Sequence, residues 1–329
     1  MPLAPNRPAK RYTAKQFTEW RARWSGIEPD ASLRSPPFGS TEDGLLDFRG
    51  FTLNDPNAPR MRSLKHAQFK SCDFTAASLA ETISEHGSFD TCTFDYTDLN
   101  NFADKGNLFQ NCRFYRGEWQ VGSIGTSWNT ATRGEYQSRY INCHFENIKL
   151  TKTTIGDPQF IDCSFVFKKL SGIDFGCSGF IACRFIGAFQ DLTFRGAYES
   201  REDRARKATP EFAGFTDVDF TQAAVQWFDM RGGFRCKAVR MPADGSAFTA
   251  DLARLCGDRV AVLERTGDPA LHKLAAQYLD IYCRFADEQP IQILSRFDLI
   301  ESAKNSGETD ASLPDTLYTI LKSTYAKPT

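Results

Sequence analysis

The sequence predicts a mainly β solenoid of about 20 residues per coil, preceded by an N-terminal helix and followed by a C-terminal α-helical domain. Three observations predict it. The segments Phe69-Lys-Ser-Cys72-Asp-Phe74, Phe89-Asp-Thr-Cys92-Thr-Phe94 and Phe109-Gln-Asn-Cys112-Arg-Phe114 repeat at a spacing of 20 residues. The same register returns at Tyr140/Cys143/Phe145/Leu150, Phe160/Cys163/Phe165/Leu170 and Phe180/Cys183/Phe185, with a looser copy at Phe215/Val218/Phe220/Val225. Past Met241 the apolar period changes from five to 3.6, the period of a helix.

The period has a simple physical origin. Five residues make one short side and a turn, and four such sides close a coil that hydrogen-bonds to the coils above and below, at a rise of about 4.8 Å. Phe69, Phe89 and Phe109 then stack in one column and Phe74, Phe94 and Phe114 in a second, and no coil buries its core without its neighbours. Leu79, Leu99 and Trp119 continue the pattern on a further side. Blocks centred on Ser84 and Asp104 lack a large apolar residue, so that side is expected to be poorly packed or bowed outward.

Within this period, Cys72-Asp-Phe74, Cys92-Thr-Phe94, Ala77-Ser-Leu79 and Thr97-Asp-Leu99 carry a small residue two positions before Phe or Leu. In this the chain resembles the pentapeptide-repeat family, over roughly residues 45 to 240. The resemblance implies a right-handed quadrilateral β-helix. It also brings a functional expectation, because some members protect or inhibit DNA gyrase by presenting a duplex-like acidic rod and dimerise through a short C-terminal module.

Three segments follow in chain order. Residues 1–43 are an N-terminal helix and linker: Thr13-Ala-Lys-Gln16 is a capping box, Phe17, Trp20 and Trp24 follow at helical spacing, and Pro29, Pro36 and Pro37 break the chain. This helix is expected to cap the open end of the β-helix, the other reading being a partner or membrane-surface anchor. Residues 44–240 are the repeat, interrupted at Asn54-Asp-Pro-Asn-Ala-Pro59, with insertions near 121–134, centred on Trp128, and near 197–210. The second insertion carries Arg201, Arg204, Arg206 and Lys207 among Glu199, Glu202 and Asp203. Residues 241–329 are the helical domain, with helices expected at about 247–265, from Asp268-Pro269 through Phe285, at 291–304 and at 315–325. They pack as a small bundle or lie on the end of the β-helix.

Composition narrows the function. A formal net charge of −1 offers no global field for nucleic acid or acidic lipid. The start lacks the apolar core of a secretory leader, and no run of about 18 apolar residues predicts a membrane span, so a cytoplasmic protein is expected. Six of the ten cysteines fall at one coil position, two before a Phe, which reads as a ladder of small core residues suited to a reducing compartment. Neither a metal nor another cofactor is expected. Four histidines, His66, His86, His144 and His272, match no nucleophilic motif, and Cys143 and His144 alternate in direction along a strand, so no enzyme activity is expected.

What remains is binding. Residues 44–240 hold 23 acids and 24 bases, the wrong bias for a DNA mimic. The gyrase-interacting reading is therefore the alternative to a non-enzymatic protein–protein interaction scaffold, one component of a bacterial assembly. A protein partner is expected, with self-association possible through the C-terminal helices and no direct nucleic-acid binding. One position after the leading aromatic, Lys70, Asp90 and Gln110 give way to Ile141, Ile161 and Ile181, while Val166 and Ile186 follow Phe165 and Phe185. These five, with Trp128, Arg201, Arg204, Arg206 and Lys207, form the candidate partner surface. Self-coverage by the C-terminal helices or the charged insertion competes with docking.

Overall fold

The computed structural model describes residues 12–25, 36–53, 61–125, 137–197, 213–284 and 286–327. The chain divides into two compact units. The first runs to Phe167 and takes in Ile181–Cys183, while the second comprises Lys168–Phe180 and the chain from Arg184 onward.

In the first unit four parallel ladders climb together. One joins Leu46–Asp47, Cys72–Asp73, Thr93–Asp95, Arg113–Tyr115, His144–Glu146 and the start of Ser164–Asp174. A second is made of single bridges, Thr52 to Ser78, Asp98, Glu118 and Lys149. A third joins Arg62–Lys65 to Thr82–Glu85, Ala103–Lys105, Ser123–Ile124 and Thr154–Ile155, and a fourth runs from Gln68–Lys70 to Gln159–Ile161. Phe69 pairs with Phe89 and Phe89 with Phe109, an offset of 20. Across the first insertion Phe109 pairs with Tyr140 and Phe114 with Phe145, so the register resumes after eleven extra residues.

The two aromatic columns stack as the repeat requires. Ring centroids lie 5.3 Å apart for Phe69/Phe89, 4.6 Å for Phe89/Phe109 and 4.7 Å for Phe109/Tyr140. The second column gives 5.3 Å for Phe74/Phe94, 4.8 Å for Phe94/Phe114 and 4.9 Å for Phe114/Phe145. Beside them the thiols of Cys92, Cys112, Cys143, Cys163 and Cys183 each point to the carbonyl of the aromatic residue one coil earlier, from Phe69 to Phe160. Burial drives the Cys92 thiol well above its ordinary pKa.

Every fifth residue turns a corner. His66, Ser71, Ala76, Glu81 and His86 all hold a left-handed φ of 51–58°, which disfavours an L-residue by about 1–2 kcal/mol. The stack compensates, since each corner N–H donates to a carbonyl of the next coil: His66 to Glu85, Ser71 to Asp90, Ala76 to Asp95, Glu81 to Asn100.

Two expectations about this unit are corrected. The side bearing Ser84 and Asp104 does not bow outward, because a buried polar network fills it. Asp104 accepts from the Tyr140 hydroxyl (2.6 Å), Ser138 Oγ (2.7 Å), Asn107 Nδ2 (2.6 Å) and the Gly125 amide (3.1 Å), and Asn107 bonds Ser84 O and Gly87 N. Burial nevertheless raises the Asp104 carboxyl pKa.

The second correction concerns helix α1 (Ala14–Ala22), whose Thr13 capping box forms as read. Trp24, just past its end, sits between Phe48 and Phe51 of the first coil, with its indole donating to Arg49 O at 2.9 Å. The helix itself lies along the outward side of the first ladder. There Phe17 meets Tyr96 at 5.2 Å and Arg23 grips Asp47 at 2.5 and 2.9 Å. Asp73, Asp95 and Arg113 of that ladder are buried. Gly50 permits this approach: at φ +73°, a Cβ there would come within 2.5 Å of the Trp20 backbone.

The second unit begins with the same architecture. Arg184–Arg195 pairs in parallel with Asp219–Arg231, and Gly214–Thr216 with Arg235–Lys237. The expected helices at 247 and 291 each open instead with a strand. Ala247–Asp251 and Ile291–Ser295 pair antiparallel, because their apolar and β-branched residues find in each other the edge partners that a helix would not supply. Helices α2 (Leu252–Gly257), α3 (Arg259–Glu264), α4 (Pro269–Cys283), α5 (Arg296–Asn305) and α6 (Ser312–Tyr325) pack around Leu255, Leu274, Tyr278, Leu317 and Leu321. This layer closes the last coil. The Gln289 amide, fully buried, bonds both backbone groups of Phe234, at 2.8 and 2.9 Å, as a neighbouring strand would. Cys256 of α2 is disulfide-bonded to Cys283 of α4, so the cysteine ladder is accompanied by one bridge outside it.

Candidate interaction sites

The fourth ladder of the first unit carries the predicted aliphatic run. Lys70 pairs with Asp90, Asp90 with Gln110, Gln110 with Ile141 and Ile141 with Ile161. Asp162 N donates to Ile181 O at 2.9 Å, which sets Ile181 on the next rung. All three isoleucines are half-buried. Val166, also half-buried, pairs with Glu146 on the first ladder, and Ile186 pairs with Gln222 in the second unit. Trp128, Arg201, Arg204, Arg206 and Lys207 lie outside the described residues. The structure thus brings Ile141, Ile161 and Ile181 together directly.

Charges on the outward faces alternate in sign. Lys65 and Lys105 flank Glu85 at 3.4 and 3.3 Å, Arg113 holds Asp95 at 2.5 Å, and Lys149 meets Glu118. In the second unit Arg195 pairs with Asp174 and Arg240 with Asp217 and Asp219. Acids of the ladders stand next to bases, so the field close to the surface largely cancels.

One constellation escaped sequence reasoning. His144 Nδ1 lies 2.7 Å from Ser164 Oγ and its Nε2 lies 3.2 Å from Glu146. Ser164 is 20 residues from His144, and only the coil period makes them neighbours. The trio has the connectivity of a nucleophile relay, but an acyl-transfer site also needs N–H donors aimed at a developing oxyanion. Here the amides of His144 and Ser164 donate to Cys112 O and Cys143 O in the ladder. The arrangement ties adjacent coils together by side-chain hydrogen bonds.

The second unit holds a better-formed cleft, of about 300 Å3, between the strands Arg184–Arg195 and Asp219–Arg231 and helix α4. Trp227, Phe228, Tyr282 and Ile281 give it apolar walls, and Asp191, Thr193, Asp229, Arg231 and Gln292 supply polar groups. Behind the wall sits Asp298, fully buried. It accepts from Trp227 N (2.7 Å), Tyr282 OH (3.2 Å) and Ser295 N (3.3 Å), and so anchors the Trp227 backbone and the Tyr282 hydroxyl. Burial pushes its carboxyl up to about 7 despite those donors, and the charge of Asp191 adds to the rise. No repeat position signals this cleft, because its wall is completed by Ile281 and Tyr282 of α4, about 50 residues beyond Arg231. Among the described residues no group of three or more His, Cys, Asp or Glu is placed to hold a metal ion, and no helix is long and apolar enough to cross a membrane.

No family model and no curated protein matches the chain. Among solved structures it is similar to trypsin-treated QnrB1, a plasmid-mediated fluoroquinolone resistance protein, at 13% identity and a TM-score of 0.36, over 61% of this chain and 93% of that one. It is also similar to HetL, a pentapeptide repeat protein involved in heterocyst differentiation regulation from the cyanobacterium Nostoc sp. strain PCC 7120. That match has 12% identity and a TM-score of 0.24, over 56% of this chain and 91% of the other. At these values neither likeness adds to the description of the fold, which rests on the ladders themselves.

Proposed function

We propose that the protein is a non-enzymatic interaction scaffold, a stiff β-solenoid of 20-residue coils that presents a docking face and carries a C-terminal domain for assembly with a protein partner. The observation that carries this reading is the ladder Ile141, Ile161 and Ile181. Three aliphatic side chains, half-buried, stand where the preceding coils place Lys70, Asp90 and Gln110. Completing the burial of one such side chain stabilises a complex by about 1 kcal/mol, and a ladder of three multiplies the effect. The rigidity that a scaffold needs follows from the stacked rings and the corner hydrogen bonds. A DNA-mimicking rod is disfavoured by the pairing of ladder acids with bases, which leaves no continuous acidic face among the described residues.

The test is Ile161→Asp in the full chain, followed by thermal unfolding, light scattering and affinity capture from the native cell. Docking predicts a melting temperature close to that of the parent and loss of a specific partner or of a second copy. A variant that captures the same proteins with the same oligomeric state removes this face from the proposal.

A further inference from the structure

Resting on the scaffold reading, we propose that the cleft walled by Trp227, Tyr282 and Ile281 takes one basic side chain, arginine or lysine, of a partner polypeptide. Charge points to this first. Asp229 and Arg231 pair at 2.5 Å and neutralise each other, whereas the exposed carboxylate of Asp191 has no ion-pair or hydrogen-bond partner among the described residues. The lining therefore carries one uncompensated negative charge, which repels a phosphate or carboxylate ligand and attracts a cation.

The walls suit the rest of such a side chain. An aliphatic stem covers Ile281, 46% exposed and one of the few large apolar residues left open among the described residues, while the half-buried indole of Trp227 accepts a cation by quadrupole attraction. The Trp227 backbone and the Tyr282 hydroxyl are both anchored on Asp298 before any ligand arrives, which limits the ordering that accompanies binding.

Gln292 argues that the cation belongs to a polypeptide. Its side chain is only 4% exposed, and its Oε1 accepts from Ile293 N at 3.1 Å. With Oε1 engaged, Nε2 is the amide atom that Gln292 can offer to a ligand in the cleft it lines. A backbone carbonyl beside the basic side chain accepts from such a donor, which a simple amine cannot do. About 300 Å3 accommodates one side chain with its peptide group and little more.

The experiment titrates the isotopically labelled full chain with N-acetyl-arginine amide and, as neutral counterpart, N-acetyl-norleucine amide, followed by NMR. Saturable binding of the arginine probe is expected, with shifts at the Gln292 side-chain amide and the Ile281 methyls and none from the norleucine probe. Asp191→Asn keeps a residue tolerant of the φ of 51° at that position and should weaken binding by about tenfold or more. Equal affinity in that variant, equal binding of norleucine, or no saturation by the arginine probe overturns the proposal. Because the probes need no partner, a bound probe combined with failed partner capture would leave this cleft standing and the scaffold reading refuted.

Discussion

Replacing Asp298 by Asn tests the link between the second unit's core and its cleft. The carboxyl is pushed up to about 7 from the ordinary aspartate value of 3.8, chiefly by burial. With a raised folded value, the native state keeps a proton that the unfolded chain has already released. Stability is therefore greatest below the unfolded value and falls as pH rises through about 7. At about 1.4 kcal/mol per pH unit the whole interval amounts to roughly 4 kcal/mol, of which about 2.5 kcal/mol is lost between about pH 5 and pH 8. Asn is a neutral isostere, so this part of the slope should vanish. The variant also pays a constant penalty of about 1–3 kcal/mol, since its Nδ2 hydrogens replace an acceptor in front of Ser295 N. Urea unfolding of both proteins, monitored by tyrosine near-ultraviolet dichroism at the two pH values, separates the effects. Parallel pH profiles, offset by a constant, would refute the assignment of a protonated Asp298.

Three further outcomes follow from the structure. Phe94→Ala removes a ring stacked between Phe74 and Phe114 at 5.3 and 4.8 Å and should cost about 3–5 kcal/mol in chemical unfolding; a loss below about 1 kcal/mol would mean that the columns are not close-packed. Unfolding without reductant should expose eight thiols, the ten cysteines less Cys256 and Cys283, while the native protein leaves the ladder unreacted. Opening that bridge, which spans 27 residues, by Cys256→Ser with Cys283→Ser should lower the stability of the second unit by about 3 kcal/mol. Ten reactive thiols in the unreduced, unfolded chain would show that the bridge does not form.

The two Phe columns and the cysteine ladder were legible in the sequence because a 20-residue period leaves each inward side chain one permitted neighbour, its counterpart in the adjacent coil. The same period placed Ile141, Ile161 and Ile181 on one face. Helix α4 was legible from Asp268-Pro269 and its apolar spacing, and α1 from its capping box. Other features depended on contacts that no local pattern encodes. Asp104 reads as a defect until Tyr140, Ser138 and Asn107 arrive from other coils to satisfy it. Residues 247–251 and 291–295 read as helix because short apolar runs are ambiguous, and only their pairing with each other makes them strands. Asp73, Asp95 and Arg113 are polar neighbours of the inward Phe74, Phe94 and Phe114, yet they are buried in the ladder along which α1 packs. The cleft beside Asp298 is likewise assembled from strands and a helix distant in sequence. Periodicity determines how a coil meets its own copies, and tertiary structure alone decides what covers the surface those copies leave open.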